Sequence, residues 1–241
     1  MTSLPLKDFQ KSVRAAFLVN RDYDKIFCVG RNKTGTSSIQ AFFKLYGLKT
    51  PPQADQELTL TSAALRGDFA PMAQYCSAFE AFQDLPFSMG DFYVAADALF
   101  PNSKFILTLR DPEDWYTSML NFQKKVYQLG VNEAPITEQI FKANAFYLAE
   151  GYAVRLKERL LLQRGDDGTS VKPNWDLLYD KDFYIEEYEQ RNKRIMAHFY
   201  ESDGRLLCIN VSEERDTAKL CDFLSIPSRF KTRMPHENAN N

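Results

Sequence analysis

Three short apolar segments, each followed by a helical pattern, constrain the fold of this 241-residue chain more than any other feature. The segments read KIFCVG, KFILTLR and RLLCINV and occupy residues 25–30, 104–110 and 205–211. Short apolar runs of this kind are typical of strands that are buried on both faces. Asp111 as the N-cap and Pro112 at the first helical position mark the start of the helix after the second segment. Three strand-to-helix units predict an α/β fold, a parallel sheet flanked by helices.

The rest of the chain is less sharply patterned. Helices are expected over about residues 137–162 and 181–200. The polar stretch between them, residues 163–174 (QRGDDGTSVKPN), is the best candidate for a loop or a lid. Residues 50–67 show no clear periodicity. Because no segment has the composition of a linker, we expect residues 1–241 to form a single domain.

Charge and cysteine content exclude several classes of function. The chain has 30 Lys and Arg against 32 Asp and Glu, a net charge of −2, so general binding to nucleic acid or to an anionic membrane is a poor prediction. Its four cysteines are far apart, which is typical of neither a zinc site nor a disulfide framework. Cys28 and Cys208 lie in apolar runs and are expected in the core. No signal peptide or membrane span is visible, so we expect a soluble cytoplasmic protein.

The segment between the first strand and the first helix has the composition of an anion site. Residues 30–38 read GRNKTGTSS, and we call them the donor loop. Successive backbone N–H groups in such a turn form a concave nest, and the N-terminus of the following helix adds a positive dipole. Lys33 supplies a cation, and Thr36 and Ser37 supply hydroxyls in the first helical turn. This set suits a phosphate or a sulfate group.

The donor loop is not a Walker loop. The Walker pattern GxxxxGK[ST] places a lysine directly after the second glycine and a magnesium-binding hydroxyl next to it. Here Thr36 follows Gly35, and Lys33 precedes it by two residues. The second strand also ends in Arg110, where a magnesium-dependent enzyme would more often hold its metal with a carboxylate. A magnesium-dependent kinase is therefore the weaker alternative.

The order KTGTS in the donor loop resembles the 5′-phosphosulfate loop, PK[ST]G[TS][TS], of the sulfotransferases that use 3′-phosphoadenosine 5′-phosphosulfate (PAPS). Asn32 replaces the usual proline, and Ser38 stands where the cytosolic branch often has tryptophan, so the chain is more similar to the bacterial and carbohydrate-type branch. The resemblance implies a fold like that of the P-loop nucleoside-triphosphate hydrolases, 3′,5′-ADP as product and no metal. It also implies that the donor is held by Arg31, Asn32, Lys33, Thr34, Gly35, Thr36, Ser37 and Ser38.

A second motif extends the resemblance. In the family, an arginine at the end of a strand and a serine eight residues later bind the 3′-phosphate of the donor, and Arg110 and Ser118 have that spacing here. A planar guanidinium gives a charge-assisted clamp and the hydroxyl adds a further donor. The similarity continues through residues 206–227 and the MPHEN segment at 234–238. Two interpretations stay open for the basic run near the C-terminus, a solvated tail or a further contact to the 3′-phosphate: Arg229, Lys231 and Arg233.

In-line sulfuryl transfer requires a cation at the leaving phosphate oxygen and is helped by a base at the acceptor. Lys33 is the natural cation. The cytosolic enzymes place a base histidine in a K-T-H-x-P segment, but His198 and His236 of this chain lie too late in the sequence for that place. The local analogue is the tripeptide DLP that begins at Asp84, so Asp84 is the candidate base, with Glu80 as the alternative.

The sequence does not name the acceptor. By resemblance it is a hydroxyl, or an amine, of a small molecule, a glycan or a lipid. Besides the kinase, one further alternative is a sulfotransferase-like protein that binds a nucleotide without turnover. The oligomeric state is left open, including a homodimer.

Overall fold

The computed structural model describes residues 5–129, 136–165, 168–202 and 204–235. The strands are β1 (Ile26–Cys28), β2 (Ala81–Phe82), β3 (Lys104–Thr108), β4 (Leu162–Arg164), β5 (Val171–Pro173) and β6 (Leu206–Ile209). The α-helices are α1 (Leu6–Asn20), α2 (Thr36–Leu45), α3 (Gln53–Gln56), α4 (Ser62–Leu65), α5 (Ala70–Ser77), α6 (Phe92–Leu99), α7 (Pro112–Val126), α8 (Glu138–Asn144), α9 (Tyr152–Leu160), α10 (Lys181–His198) and α11 (Ala218–Phe223). A π-helical turn, Glu57–Thr61, joins α3 to α4. No helix in these ranges is long and apolar enough to cross a membrane.

Four strands form one parallel sheet in the order β2-β1-β3-β6. Phe27 in the central strand β1 is in register with Phe82 of β2 on one side and with Phe105 of β3 on the other. The predicted α/β fold, a parallel sheet flanked by helices, is confirmed. The short strand β2 was not predicted, because two residues are too few for a sequence pattern.

The two faces of the sheet are covered by different helices. Ile26 and Cys28 point into a core formed with α1, α2 and α11. Phe27 and Val29 point into a second core formed with α5, α6 and α10. Side chains of successive strand residues alternate between faces, so this continuous apolar run serves both cores. The loops that follow β1 and β2 lie at the carboxyl end of this parallel sheet.

Three expectations about the middle of the chain differ from the structure. The single helix expected over residues 137–162 is wrong, because α8 and α9 are separated and Gly151 before α9 has a left-handed φ of +66°. The stretch 163–174, the candidate for a loop or a lid, contains most of an antiparallel hairpin of β4 and β5, with residues 166 and 167 outside the described ranges. Residues 50–67, which lacked a pattern, are largely helical.

The two cysteines expected in the core have different environments. Cys28 in β1 is fully buried, as predicted. Cys208 is exposed, so its predicted burial is wrong. The reason is that β6 is an edge strand of the sheet, paired only with β3, and its apolar run is therefore covered incompletely. The start of α7 is as predicted, since the Asp111 carboxylate accepts hydrogen bonds from the first-turn N–H groups of the helix.

Candidate active site

The turn from β1 into α2 requires glycine at two positions. A Cβ on Gly30 would lie 1.9 Å from Thr108 Oγ1, so the backbone passes here only because the side chain is missing. Gly35 is the N-cap of α2 with a φ of +100°, and a Cβ there would lie 3.0 Å from Val211 Cβ. The first N–H groups of α2 have no acceptor within the helix, so this turn favours an anion.

Hydroxyl groups of the donor loop have different environments. The Thr34 hydroxyl oxygen lies 2.5 Å from the hydroxyl oxygen of Thr108 and 2.5 Å from the Arg31 carbonyl oxygen. Its side chain therefore stabilises the loop against β3. The other hydroxyls, in the first turn of α2, differ in burial: Thr36 and Ser38 are buried and Ser37 is exposed.

Arg110 lies directly beside the donor loop. Its Nη1 donates a hydrogen bond to the Lys33 carbonyl oxygen at 3.2 Å. The Tyr188 hydroxyl accepts from the Arg110 backbone N–H and donates to the Arg110 carbonyl, both at 3.0 Å, which fixes the end of the strand segment. Ser118 is half-buried two turns along α7. Of the predicted 3′-phosphate pair, Arg110 is thus anchored to the predicted phosphosulfate loop.

A cavity of about 440 Å³ opens at the carboxyl ends of β1 and β2, the end of a parallel sheet where ligands bind. This volume is in the range of small-molecule sites. The predicted site residues that line it are Arg31, Asn32, Lys33 and Asp84. Much of the remaining wall is apolar or aromatic, including Phe69, Leu85, Met89, Phe92, Trp115, Phe122 and Tyr127. The donor loop therefore forms part of the wall of a cavity that is otherwise mostly apolar.

Two cations of the donor loop face this cavity in different ways. Arg31 is paired with the carboxylate of Glu187. Lys33 forms no ion pair with any described residue, and its Nζ lies 4.6 Å from the ring centroid of Phe122. Burial, and then the charge of Arg110, lower the pKa of Lys33. Lys33 is thus the loop cation whose charge is not neutralised by a carboxylate.

Asp84 follows β2 with a left-handed φ of +66°, a conformation that aspartate tolerates better than most residues. Its carboxylate accepts hydrogen bonds from Gln53 Nε2 at 2.5 Å and from the Leu85 N–H at 2.9 Å. Ser88 Oγ lies 3.4 Å from Asp84 and donates to Asn32 Oδ1 at 2.9 Å, which links the carboxylate to the donor loop. Burial raises the pKa of Asp84, while these hydrogen bonds oppose the rise.

The sequence from the start of β1 onward matches a known family. A family model described as a sulfotransferase domain matches residues 25–241. The chain belongs to the sulfotransferase family. No curated protein matches it. The resemblance inferred from KTGTS and from the arginine-serine motif is thereby confirmed at the level of the family, whereas the bacterial and carbohydrate-type branch stays a prediction.

Glu57 is a cavity residue of this sulfotransferase that sequence reasoning missed. It is 1% exposed and lies on the π-helical turn, one helical turn after Gln53. Gln53 Nε2 donates to Glu57 Oε1 at 2.8 Å as well as to Asp84, so one amide bridges the two carboxylates. Glu57 Oε2 has no hydrogen-bond partner among the described residues. Burial, and then the charge of Asp84, raise the pKa of Glu57 to about 7.

The alternative base Glu80 does not line the cavity of the sulfotransferase. Its carboxylate pairs with Arg14 at 2.8 Å and with Arg21 at 3.2 Å, and it accepts from the Lys49 N–H at 2.9 Å. Burial alone would raise the pKa of Glu80, but the hydrogen bonds from Arg14 and Lys49 and the guanidinium charges outweigh it, and the net pKa is lowered. Glu80 therefore ties α1 to the start of β2.

The two histidines and the C-terminal basic run are not found in the cavity. His198 is hydrogen-bonded to Asp97 at 2.8 Å and does not line it. His236 and the rest of the MPHEN segment after it lie outside the described residues. The three basic residues near the C-terminus are exposed and do not line the cavity, which favours the solvated tail: Arg229, Lys231 and Arg233.

Lys157 is a buried cation in the cavity wall that the sequence did not reveal. It is 4% exposed, and its Nζ donates to Gln123 Oε1 at 2.7 Å and to the Tyr184 hydroxyl at 2.8 Å. Burial, and then the charge of Arg31, lower the pKa of Lys157 well below its usual range. No carboxylate among the described residues pairs with it. Lys157 lies on the amphipathic helix α9, and nothing in the sequence of this helix indicates that its side chain is buried.

Arg191 connects three backbone segments near the site through hydrogen bonds. It is fully buried on α10 and donates to three carbonyl oxygens, those of Val29 at 2.8 Å, Phe87 at 3.0 Å and Gly90 at 2.7 Å. One guanidinium thus joins the residue before the donor loop to the segment that follows Asp84. Burial, and then the charge of Arg31, lower the pKa of Arg191 to about 9. These hydrogen bonds connect α10 to both segments.

Proposed function

We propose that this sulfotransferase moves a sulfuryl group from PAPS to a hydroxyl or an amine of an acceptor, by in-line displacement and without a metal. The observation that carries the proposal is that Lys33 and Asp84, predicted as cation and base, line one cavity at the carboxyl end of the sheet. A cation with no carboxylate partner in the described part of the chain and a hydrogen-bonded carboxylate, both lining one mostly apolar cavity, suit the transfer of an anionic group to a protic acceptor.

The donor loop has the features needed to hold PAPS, which supplies the sulfuryl group and whose remainder is 3′,5′-ADP. The absence of a side chain at Gly30 and the left-handed Gly35 form a backbone cradle at the N-terminus of α2. Arg110, hydrogen-bonded to the loop carbonyl of Lys33, would clamp the 3′-phosphate with the hydroxyl of Ser118. In this proposal the backbone cradle, Arg110 and Ser118 bind PAPS.

At the acceptor end, Asp84 would accept the proton of the attacking group while Lys33 neutralises charge on the opposite side. Asp84 exposes part of its surface, whereas Glu57 behind it is almost completely buried. The hydrogen bonds from Gln53 and Leu85 favour the ionised form of Asp84. Burial raises the pKa of both carboxyls, that of Glu57 to about 7. Because Asp84 is the more exposed of the two, it is the base that we place at the acceptor.

The alternatives are less well supported. A magnesium-dependent kinase would need the Walker lysine and hydroxyl that Gly35 and Thr36 do not provide. A protein that binds without turnover would not need Lys33 and Asp84 in the same cavity.

We also propose one domain over residues 1–241, because the strands of one sheet come from residue 26 through residue 209. A cytoplasmic location is supported by four free cysteines.

Calorimetric titration with three nucleotides tests the donor assignment. We expect 3′,5′-ADP to bind with clear preference over 5′-AMP, and we expect ATP with magnesium to bind no better than 5′-AMP. The comparison of 3′,5′-ADP with 5′-AMP measures what the 3′-phosphate contributes to affinity. The comparison of ATP and magnesium with 5′-AMP tests the kinase alternative. Equal affinity for 3′,5′-ADP and 5′-AMP would overturn the proposed donor, and a magnesium-dependent preference for ATP would favour the kinase.

A further inference from the structure

A second, shallow groove adjoins the cavity and shares Arg159 with it. We call it the arginine groove, and it lies between the end of α4, the outer face of α9 and the base of the β4–β5 hairpin. The residues that define it are Leu65, Arg66, Arg155, Arg159, Leu162 and Pro173. Because Arg159 lines both spaces, the groove and the cavity are adjacent.

The arginine groove concentrates positive charge that the rest of the described chain does not neutralise. Arg66, Arg155 and Arg159 are exposed, and none of them forms an ion pair with a described residue. The one carboxylate in the groove, Glu158, lies 3.7 Å from Lys142 instead. A protein with a net charge of −2 thus presents in one place three guanidiniums that have no carboxylate partner among the described residues, although Arg155 donates a hydrogen bond to the Glu150 carbonyl oxygen at 3.4 Å.

Two of these arginines repel each other along the helix that carries them. Arg155 and Arg159 are four residues apart on α9 and lie on the same face. Like charges at this spacing destabilise a helix. An anion between them would reverse the sign of this interaction, because a guanidinium fork matches a carboxylate, sulfate or phosphate.

An apolar surface connects the groove to the proposed base. Met89 and Phe92 are buried and pack with partly buried side chains in one cluster, which we call the outer apolar cluster. The partly buried members are Leu65, Phe69, Leu85 and Leu156. Leu85 follows Asp84 in the chain, and Leu65 lines the arginine groove. The cluster therefore runs from the carboxylate to the arginines.

We propose that the arginine groove is a subsite for an anionic group of the acceptor. The acceptor is then amphipathic, with its hydroxyl at Asp84, its apolar body on the outer apolar cluster, and a carboxylate, sulfate or phosphate at the arginines. The identity of the hydroxyl as the reacting group rests on the proposed sulfuryl transfer. The binding of the anionic end does not depend on it.

Binding of a homologous series tests the proposal. The probes are ω-(4-hydroxyphenyl)alkanoic acids of increasing chain length and their primary amides, titrated by calorimetry into the protein saturated with 3′,5′-ADP. We expect the acids of matching length to bind about tenfold more tightly than the amides at low salt, and the preference to shrink as salt is added, since the arginines are exposed. In the Arg155→Gln/Arg159→Gln variant the preference should fall to less than about twofold.

A matched control removes two lysines at the same spacing on another exposed helix, Lys7→Gln/Lys11→Gln in α1. It should retain the wild-type preference for the acids. The proposal is overturned if acids and amides bind the wild type equally, if no member binds, or if the preference survives in the double arginine variant.

Transfer from PAPS to the same probes separates this inference from the proposed function. Preferential binding of the acids without any sulfuryl transfer would support the subsite and contradict the proposed activity. Equal sulfation of acids and amides, with equal KM values, would support the activity and overturn the subsite.

Discussion

Replacing Glu57 by glutamine is expected to stabilise the protein at alkaline pH and to change little at acidic pH. Burial and Asp84 raise the pKa of Glu57 from an ordinary 4.5 to about 7, so the folded state favours its protonated form. A carboxyl with a raised pKa makes the folded state bind more protons than the unfolded state between these values, and stability is lost as the pH rises through that interval. A difference of about 2.5 pKa units at roughly 1.4 kcal/mol per unit gives ~3 kcal/mol of destabilisation at pH 9, and under about 1 kcal/mol at pH 5.

Urea unfolding of the wild type and the Glu57→Gln variant at pH 5 and pH 9 measures this difference. Glutamine keeps the oxygen that accepts from Gln53 and removes only the charge. Glu189→Gln, an exposed change of the same chemistry on α10, serves as the control and should alter neither value by more than about 0.5 kcal/mol. A stability difference between Glu57→Gln and the wild type that is independent of pH would refute the assignment of the raised pKa to Glu57.

Three further outcomes follow from the donor side of the site. Arg110→Ala should weaken 3′,5′-ADP binding ~10- to 100-fold while 5′-AMP binding changes little, because a hydrogen bond to a charged group contributes roughly 1.5–3 kcal/mol; equal losses for both nucleotides in calorimetry would count against the 3′-phosphate contact. Gly30→Ala should lower the free energy of unfolding by about 1–3 kcal/mol, since its Cβ would collide with Thr108, and an unchanged urea midpoint would show that the turn is looser than described. Transfer from PAPS should be unaffected by EDTA, and a loss that magnesium restores would contradict the metal-free proposal.

The donor loop was predictable because its determinants are local in the sequence. Gly30, Lys33 and Gly35 lie between one strand and one helix, and the cap residues Asp111 and Pro112 likewise act on their own helix. Local backbone requirements of this kind are encoded by a few neighbouring residues. The parallel arrangement of the three predicted strands also followed, since each apolar run is followed by a helical pattern.

The acceptor side was not predictable because its determinants are distant in sequence. Glu57 reaches the cavity through a π-helical turn, which has no periodic signal, and it meets Asp84 only through Gln53. Lys157 and Arg191 are buried on helices whose charged residues otherwise face solvent. The choice between Asp84 and Glu80 likewise depended on β2, because Glu80 precedes this strand and Asp84 follows it. The pairing of Glu80 with Arg14 of α1 has no signal in the sequence.

Single-turnover transfer of labelled sulfuryl from PAPS to the hydroxyphenyl probes, in the wild type and two variants, tests the central claim most directly. Lys33→Ala should slow transfer ~100- to 1000-fold with a smaller loss of 3′,5′-ADP affinity, because the cation acts mainly as charge develops on the leaving oxygen. Asp84→Asn should slow transfer with unchanged 3′,5′-ADP affinity. It should also remove the acidic limb of the pH profile, because the wild-type rate falls as the pH drops through the raised pKa of Asp84 and the carboxylate is protonated. A wild type that moves no label from PAPS, a Lys33→Ala variant as fast as the wild type, or an Asp84→Asn variant with the wild-type rate and pH profile would contradict the account.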